Sequence, residues 1–554
     1  MSVSARRDIP GPADHPAAPG APCDLDALCA CLPARRRHGP HGPIAVTGLA
    51  DHTADVRPGT LFACVPGTAA DGHRFATAAV LAGASALLVE APLPHLLADV
   101  PQVAVPDVRE GLARVARAFH GDPDRHLHVV AVTGTNGKTT TAFLCQAIWA
   151  AARRPTALLG TVCYRLGRRE VPAPLTTPGP ILLHALLAEA VALGCTAVAM
   201  EASSHALAQK RLDGLEVDTA IFTNLSRDHL DYHGSPMAYF AAKRRLFGPR
   251  PGVKAHPALA VVSADSGAGR LIAREARQWR QVITFGLRHP ADVRGHYRPG
   301  ARGQGTLAVE GPWGRGELDL PLPGAHNARN VLGALTAGLA AGIPFDLAAH
   351  AVRTMPPVPG RFERIEGGQP FGVLVDFAHN PDGLRQLLLA ARPGCAGRLR
   401  LVFGCKGGDG DREKRRRMGE IAARLADVVY LTTDDPYRED PAAIAADVAV
   451  GLQARSAAPR VILDRPEAVR AAILDAEPGD LVVVAGRGHE EEQPVLGQRV
   501  PCNDRVLCRL ALDEWVEAQR GAGAWGADGP GRGSAAGDAG WAVGAGPAGA
   551  RGRC

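Results

Sequence analysis

Short runs of β-branched and small apolar residues recur along this chain, each followed by a longer Ala/Leu-rich amphipathic stretch, and this alternation constrains the fold most. A strand that returns to its sheet through a helix lies parallel to its neighbour, and the helices then cover the sheet faces. The expected class is α/β. Length sets the number of sheets, because 554 residues exceed what one hydrophobic core organises.

Punctuation divides the chain. Residues 1–43 are rich in Pro, Ala, Gly and Arg without a sustained period and read as an N-terminal tail. Residues 44–122 form a first unit, with strands near Leu61–Cys64, Ala86–Val89 and Val103–Val105, closed by the linker Gly121-Asp122-Pro123-Asp124. A central unit, residues 123–356, starts at the strand His128–Thr133, continues through Ala197–Met200, Thr219–Thr223 and Leu259–Val262, and ends where Pro356 and Pro357 interrupt a helical pattern. Residues 357–518 repeat strand and helix, with strands at Val373–Asp376, Leu399–Phe403, Val428–Thr432 and Leu481–Ala485, and residues 519–554 read as a Gly/Ala-rich tail.

Composition narrows the function. Hydrophobic residues at 46% and charged residues at 21% suit a soluble globular chain, and no run approaches the roughly 18 apolar residues of a membrane helix, so a cytoplasmic protein without membrane contact is expected. The net charge of +6 comes from arginines spread among acids, which gives nucleic acid no concentrated surface; the dense run Lys414–Arg417 reads as a solvated helix face. The twelve cysteines are scattered, and Cys23, Cys29 and Cys31 lack further ligands at zinc spacing, so reduced thiols are expected.

The most specific local pattern is Val132-Thr133-Gly134-Thr135-Asn136-Gly137-Lys138-Thr139-Thr140, a glycine-rich turn between a strand and a helix. Backbone N–H groups and the helix N-terminus can face phosphates there, with Lys138 as cation and the Thr139 hydroxyl available to Mg²⁺. The strict pattern would begin with Gly where this chain has Val132. Glu201, ending another strand before Ala202-Ser203-Ser204-His205, reads either as an ordinary loop acid or as a ligand of that metal. His229 follows a third strand and reads alternatively as a satisfied loop histidine, while composition alone assigns Lys243 no role beyond a solvated helix lysine.

Four ordered segments, Val132–Thr140, Glu201–Leu207, Thr223–Gly234 and Tyr239–Phe247, together resemble the Mur ligases of peptidoglycan synthesis, and within them the branch that adds the third amino acid. The resemblance implies a three-domain architecture with a central P-loop-type parallel sheet and a C-terminal Rossmann-like domain. It implies ATP and Mg²⁺, with Gly134, Thr135, Asn136, Gly137, Lys138, Thr139 and Thr140 on the phosphates. It also implies Asn327 and Asn330 on adenine, and Arg361 and Asp376 as further nucleotide contacts. Thr139, Glu201, His229 and Lys243, the last as a carbamate, would surround the metal, making Lys138, Lys243, Glu201 and His229 the catalytic group. Thr176, Thr177, Ser203, Gln209 and Arg211 would contact a UDP-muramoyl-dipeptide, and Arg412, Asp434, Asp435, Gly486 and Glu490 the incoming amino acid, diaminopimelate or L-lysine; the sequence does not fix the oligomeric state, and a monomer is the expectation.

The chain departs from the family at several positions, among them Asn380, where this branch more often has Thr. His52-Thr53-Ala54 stands where the family carries Asp-Ser-Arg, and Asp434-Asp435-Pro436-Tyr437-Arg438 stands where diaminopimelate enzymes carry Asp-Asn-Pro-Arg. In Gly408-Asp409-Gly410-Asp411-Arg412 either Gly410 or Arg412 takes the place of a second selecting arginine. Which amine is added stays open, as does the alternative of a paralogue that forms an amide on another carboxylate in specialised metabolism.

Overall fold

The structure, a computed structural model, describes residues 22–67, 70–249, 259–300, 305–408, 411–453 and 458–525. Its first sheet has five strands in the order Arg36–His38, Gln102–Ala104, Ala84–Val89, Thr60–Ala63 and Gly48–Ala50, parallel except at the first pair. The helix Val108–Phe119 covers it through Val108, Leu112, Val115 and Phe119, one residue per turn. Asp107 caps that helix by accepting from the Glu110 N–H at 2.9 Å.

The expected tail of residues 1–43 is too long. A strand at Cys23–Asp24 pairs with Ala45–Val46, Asp24 caps the turn Leu25–Leu28, and Leu25, Leu28 and Leu32 enter the first core. Those leucines keep a helical spacing that the surrounding Pro, Ala and Arg disguise. At the other end the helix Asp504–Trp525 runs past residue 518 into the expected tail, while residues 1–21 and 526–554 of the two tails lie outside the described residues.

The central sheet has eleven strands. Its middle runs in parallel through Thr156–Leu159, Ala197–Glu201, His128–Thr133, Thr219–Phe222, Leu259–Ser263 and Gln281–Gly286. Alternation sends Val130 and Val132 to one core and Val129 and Ala131 to the other, so both faces are covered. Antiparallel hairpins finish the two edges, at Cys163–Leu166 with Arg169–Pro172 and at Val293–Pro299, Gly305–Gly311 and Gly314–Leu320. These edge strands alternate buried and exposed residues without a continuous apolar run, which hid them from the sequence reading.

The third sheet orders six strands as Glu363–Arg364, Gly372–Asp376, Leu481–Ala485, Leu399–Phe403, Val428–Leu431 and Arg460–Val461, antiparallel only at its first pair. Among the described residues no helix is long and apolar enough to cross a membrane. The carboxyl ends of the central strands face this third unit across a cleft of about 1460 Å³.

Candidate active site

The strand His128–Thr133 has Ala197–Glu201 on one side and Thr219–Phe222 on the other, and the chain enters those neighbours in opposite directions along the sheet. Such a switch point opens a crevice at the strands' carboxyl ends. Register does the rest: Glu201 lies beside Val132 and Phe222 beside Thr133, so Glu201 and Thr223 flank the turn. Val132 itself belongs to the strand, fully buried, and the turn begins at Gly134.

Gly137 holds φ at 86°, and a Cβ there would lie 2.3 Å from Asn330 Oδ1. The turn is thus pressed against the helix Ala325–Ala340, which carries Asn327 and Asn330 into the cleft. Asn327 Nδ2 donates to Pro323 O at 2.8 Å and Asn330 Nδ2 to Asn327 Oδ1 at 3.4 Å. Lys138 Nζ donates to the loop carbonyls of Gly134 and Thr135 at 3.1 and 2.9 Å, bonds that an arriving phosphate oxygen could replace. Burial holds the Lys138 ammonium pKa below its usual value, against the pull of Glu201 and Asp228.

Glu201 is 1% exposed. Its Oε1 accepts from the Thr161 N–H at 2.7 Å, while Oε2 is buried without a hydrogen-bond partner. An orphaned carboxylate oxygen beside a phosphate turn fits a divalent cation. His229 sits in left-handed backbone at φ 52°, and its imidazole is pushed down to about 3, by burial first and then by nearby His205, His379 and Lys138, so it is a neutral nitrogen donor. Lys243 is not the solvated lysine that composition suggests. It is 1% exposed, its Nζ donates to Gly134 O at 2.7 Å and lies 4.5 Å from the Tyr239 ring centroid. Burial, then Lys138, holds its amine well below the ordinary lysine value, the state in which it can capture CO₂.

On the side of the first unit, the Thr177 hydroxyl donates to Glu201 O at 2.7 Å and accepts from the Ser203 N–H at 3.0 Å. Thr176 accepts from Thr161 Oγ1 at 3.2 Å, and Arg211 Nη1 donates to Thr177 O at 2.8 Å. Gln209 braces Arg211 through its Oε1, at 2.7 Å from Nη2, from just outside the cleft lining.

The third unit closes onto the phosphate turn. Arg361 Nη2 donates to Thr139 Oγ1 at 2.9 Å while its guanidinium stacks 4.3 Å from the Phe377 centroid. Asp376 orients that loop by accepting from the Phe362 and Ala378 N–H groups at 2.7 and 2.8 Å. Asn380 Nδ2 donates to Asn136 Oδ1 at 3.0 Å and to Asp228 Oδ2 at 3.1 Å, and Asp382 accepts from Asn136 Nδ2 at 3.0 Å. Burial alone would raise the Asp228 pKa, but His229, His379, Lys414 and Lys138 hold it below the normal carboxylate range. The sequence pattern assigns Asp228 no role, although an acid beside a histidine at a parallel strand's end is a signal that could mark it.

The basic run is only half a solvated face. Arg416 and Arg417 pair with exposed Glu413 outside, but Lys414 reaches 3.8 Å from Asp228 and Arg415, 1% exposed, bridges Glu439 and Asp447 at 2.7 and 3.0 Å. Arg412 also departs from expectation. Its side chain is 80% exposed and turns to Asp447 at 3.7 Å, away from the cleft, because the first helical turn after Asp411 points it outward. Its alternative, Gly410, lies outside the described residues.

Asp434, Asp435 and Glu490 gather within 4.8 Å of one another behind the cleft wall, and Gly486 packs against Asp434, where a Cβ would meet Oδ2 at 2.6 Å. Arg487 and Lys406 enter this acidic cup. Arg487 pairs closely with Asp435, and Lys406 Nζ lies 2.7 Å from Asp435 Oδ2 and 3.1 Å from Glu490 Oε1. Neither basic residue was expected there.

A description of the Mur ligase middle domain matches residues 132–338, the Mur ligase glutamate ligase domain matches 360–488, and the Mur ligase family catalytic domain matches 46–120. The chain is 43% identical over 484 residues to a UDP-N-acetylmuramoyl-L-alanyl-D-glutamate--2,6-diaminopimelate ligase of Thermosynechococcus vestitus, covering 86% of this chain and 95% of that protein. It is 43% identical over 507 residues to the Synechococcus elongatus protein of the same name, covering 89% and 99%. A solved structure of a ligase with that name superposes with a TM-score of 0.61 at 32% identity, covering 86% of this chain and 96% of that one. With its phosphate turn, acid and buried lysine gathered at one cleft, this chain belongs to the Mur ligase family of amide-forming ligases.

Proposed function

We propose that this protein joins 2,6-diaminopimelate to UDP-N-acetylmuramoyl-L-alanyl-D-glutamate at the expense of ATP, in peptidoglycan synthesis. The observation that carries this reading is the extent of likeness: 43% identity across 95% of a ligase of that specificity, spanning all three units. The substrate carboxylate would attack the γ-phosphorus of ATP, forming an acyl phosphate and releasing ADP. The amine would then attack the acyl carbon, forming the amide as phosphate leaves and the nitrogen gives up a proton.

Thr139, Glu201 and His229, with Lys243 as a carbamate, are the residues suited to hold Mg²⁺; the orphaned Glu201 Oε2 and the neutral His229 and Lys243 nitrogens support that set. When bound, the metal would neutralise charge on the phosphates and the acyl phosphate. Lys138 would turn from its loop carbonyls to the transferred phosphoryl group, and the turn's N–H groups would cradle the remaining phosphates. Asn327 and Asn330 offer amides to adenine, and Arg361 and Asp376 carry the third unit's side of the nucleotide pocket. Thr176, Thr177, Ser203 and Arg211, braced by Gln209, offer hydroxyls and a cation to the muramoyl-dipeptide. Asp434, Asp435, Gly486 and Glu490 form the acceptor end. Direct contacts of Asn136 with Asn380 and Asp382 support the reading that closure of the third unit completes the site.

The test is phosphate release from ATP with UDP-N-acetylmuramoyl-L-alanyl-D-glutamate, comparing 2,6-diaminopimelate, L-lysine and no amine. Release that requires diaminopimelate is the expected result. No release with either amine, from protein that binds ATP, would transfer the reading to a ligase of another carboxylate.

A further inference from the structure

Three carboxylates crowd the acceptor end, and two of their oxygens are buried without hydrogen-bond partners: Asp434 Oδ2, and Glu490 Oε2, which lies 3.5 Å from Arg487 Nη1 as a looser ion pair. Asp434 is fully buried, and neither it, Asp435 nor Glu490 lines the cleft. Lys406 does line the cleft and stands between it and the cup, paired with Asp435 at 2.7 Å and donating to Glu490 Oε1 at 3.1 Å. An ammonium has three donors; one is given to Glu490, while Asp435 is held as an ion pair and the Phe377 ring centroid lies 5.7 Å away. Any acceptor side chain that reaches toward the cup therefore meets a positive charge first.

Among the described residues, the other cations near the cup do not touch its carboxylates from the cleft side, although Arg438 also lines the cleft. Arg412 faces Asp447, Arg438 is exposed at the rim beside Tyr437, and Arg487 lies fully buried behind Lys406 against Asp435. With Arg487 alone, three carboxylates would leave two uncompensated negative charges and welcome a bare ammonium. Lys406 removes one of those charges and puts a cation at the mouth.

Resting on the acceptor reading above, we infer that Lys406 is a specificity-determining residue: it caps the acidic cup and selects an acceptor whose far end carries a carboxylate as well as an amine over one that ends in an amine alone. A further Lys406 donor takes the carboxylate, and Asp434 Oδ2, with Glu490 Oε2 sharing its charge between Arg487 and the ligand, takes the far ammonium. L-Lysine brings no carboxylate to offset the repulsion.

The experiment measures kcat and KM for 2,6-diaminopimelate and L-lysine in wild type, Lys406→Met and Lys406→Arg, with calorimetric binding of both amines to each protein. Lys406→Met should lower the diaminopimelate-to-lysine ratio of kcat/KM by about tenfold to a hundredfold, the range of one hydrogen bond to a charged group, through KM and binding rather than kcat. Lys406→Arg, which keeps the charge, should retain most of the preference. An unchanged ratio in Lys406→Met, or equal loss of both amines in both variants, would overturn the role of Lys406 while leaving the acceptor reading intact. A wild type that neither binds nor turns over either amine would overturn the acceptor reading and this inference with it.

Discussion

Replacing Lys243 by Met separates what this residue does for stability from what it does for catalysis. The change removes one hydrogen bond, from Nζ to Gly134 O at 2.7 Å, at a cost of about 1 kcal/mol. It also removes an amine that folding strips of water next to Lys138, and Met fills the space with an unbranched chain of similar length. The folded-state value of Lys243 lies well below the ordinary lysine value of 10.5, so between those two values the unfolded chain binds the extra proton. Wild-type stability therefore falls as pH drops through that window, by about 1.4 kcal/mol per unit from this group, and the variant lacks that loss. In CO₂-free buffer Lys243→Met should thus gain on the wild type in urea unfolding at pH 8 relative to pH 10. Its turnover should fall by about a hundredfold to a thousandfold, the cost of losing one preorganised charge in a polar catalytic site, and added bicarbonate should not restore it. Near-wild-type phosphate release would refute the carbamate role. Unfolding midpoints that track the wild type at both pH values would refute the buried neutral amine.

Gly137→Ala forces a side chain into left-handed backbone and onto Asn330 Oδ1, 2.3 Å from the new Cβ; a loss of about 2–4 kcal/mol, seen as a lower scanning-calorimetry midpoint, is expected, and an unchanged midpoint would remove the close turn-to-helix approach. Arg465 and Asp504 form a fully buried pair with two contacts of 2.7 Å. Arg465→Met should cost about 3–5 kcal/mol in denaturant unfolding by stranding the carboxylate, and Arg465→Met with Asp504→Leu should recover most of it; a double variant as unstable as the single would contradict the stranded-charge account. Arg412→Ala should leave the acceptor KM within about twofold, since an exposed pair contributes little, and a large rise in that KM would mean that the residue turns into the cleft during turnover.

Local order was legible without coordinates. The turn Gly134–Thr140, the acid ending Ala197–Glu201 and the four long strands of the third sheet follow from periodicity and glycine placement within a few residues, while its two-residue edge strands Glu363–Arg364 and Arg460–Val461 leave no such pattern. Leu25, Leu28 and Leu32 show where local reading failed: composition concealed a short amphipathic turn whose core lies elsewhere in the chain.

The α/β class, the phosphate turn and the residue types available for phosphate and metal chemistry are written in local pattern and composition. Tertiary structure decided which of them meet. Helical period tells which side chains share a face, and only packing tells which face is covered: Lys243 and Arg415 are buried while Arg416 and Arg417 on the same kinds of helix stay outside. Asn136 and Asn380 are 244 positions apart and Lys406 and Glu490 are 84 apart, so their bonds depend on how whole sheets dock. Desolvation and charge pairing act through space, and space is assigned by the fold; that is why no local pattern marks Lys406, which stands at the mouth of an acidic cup in the folded protein.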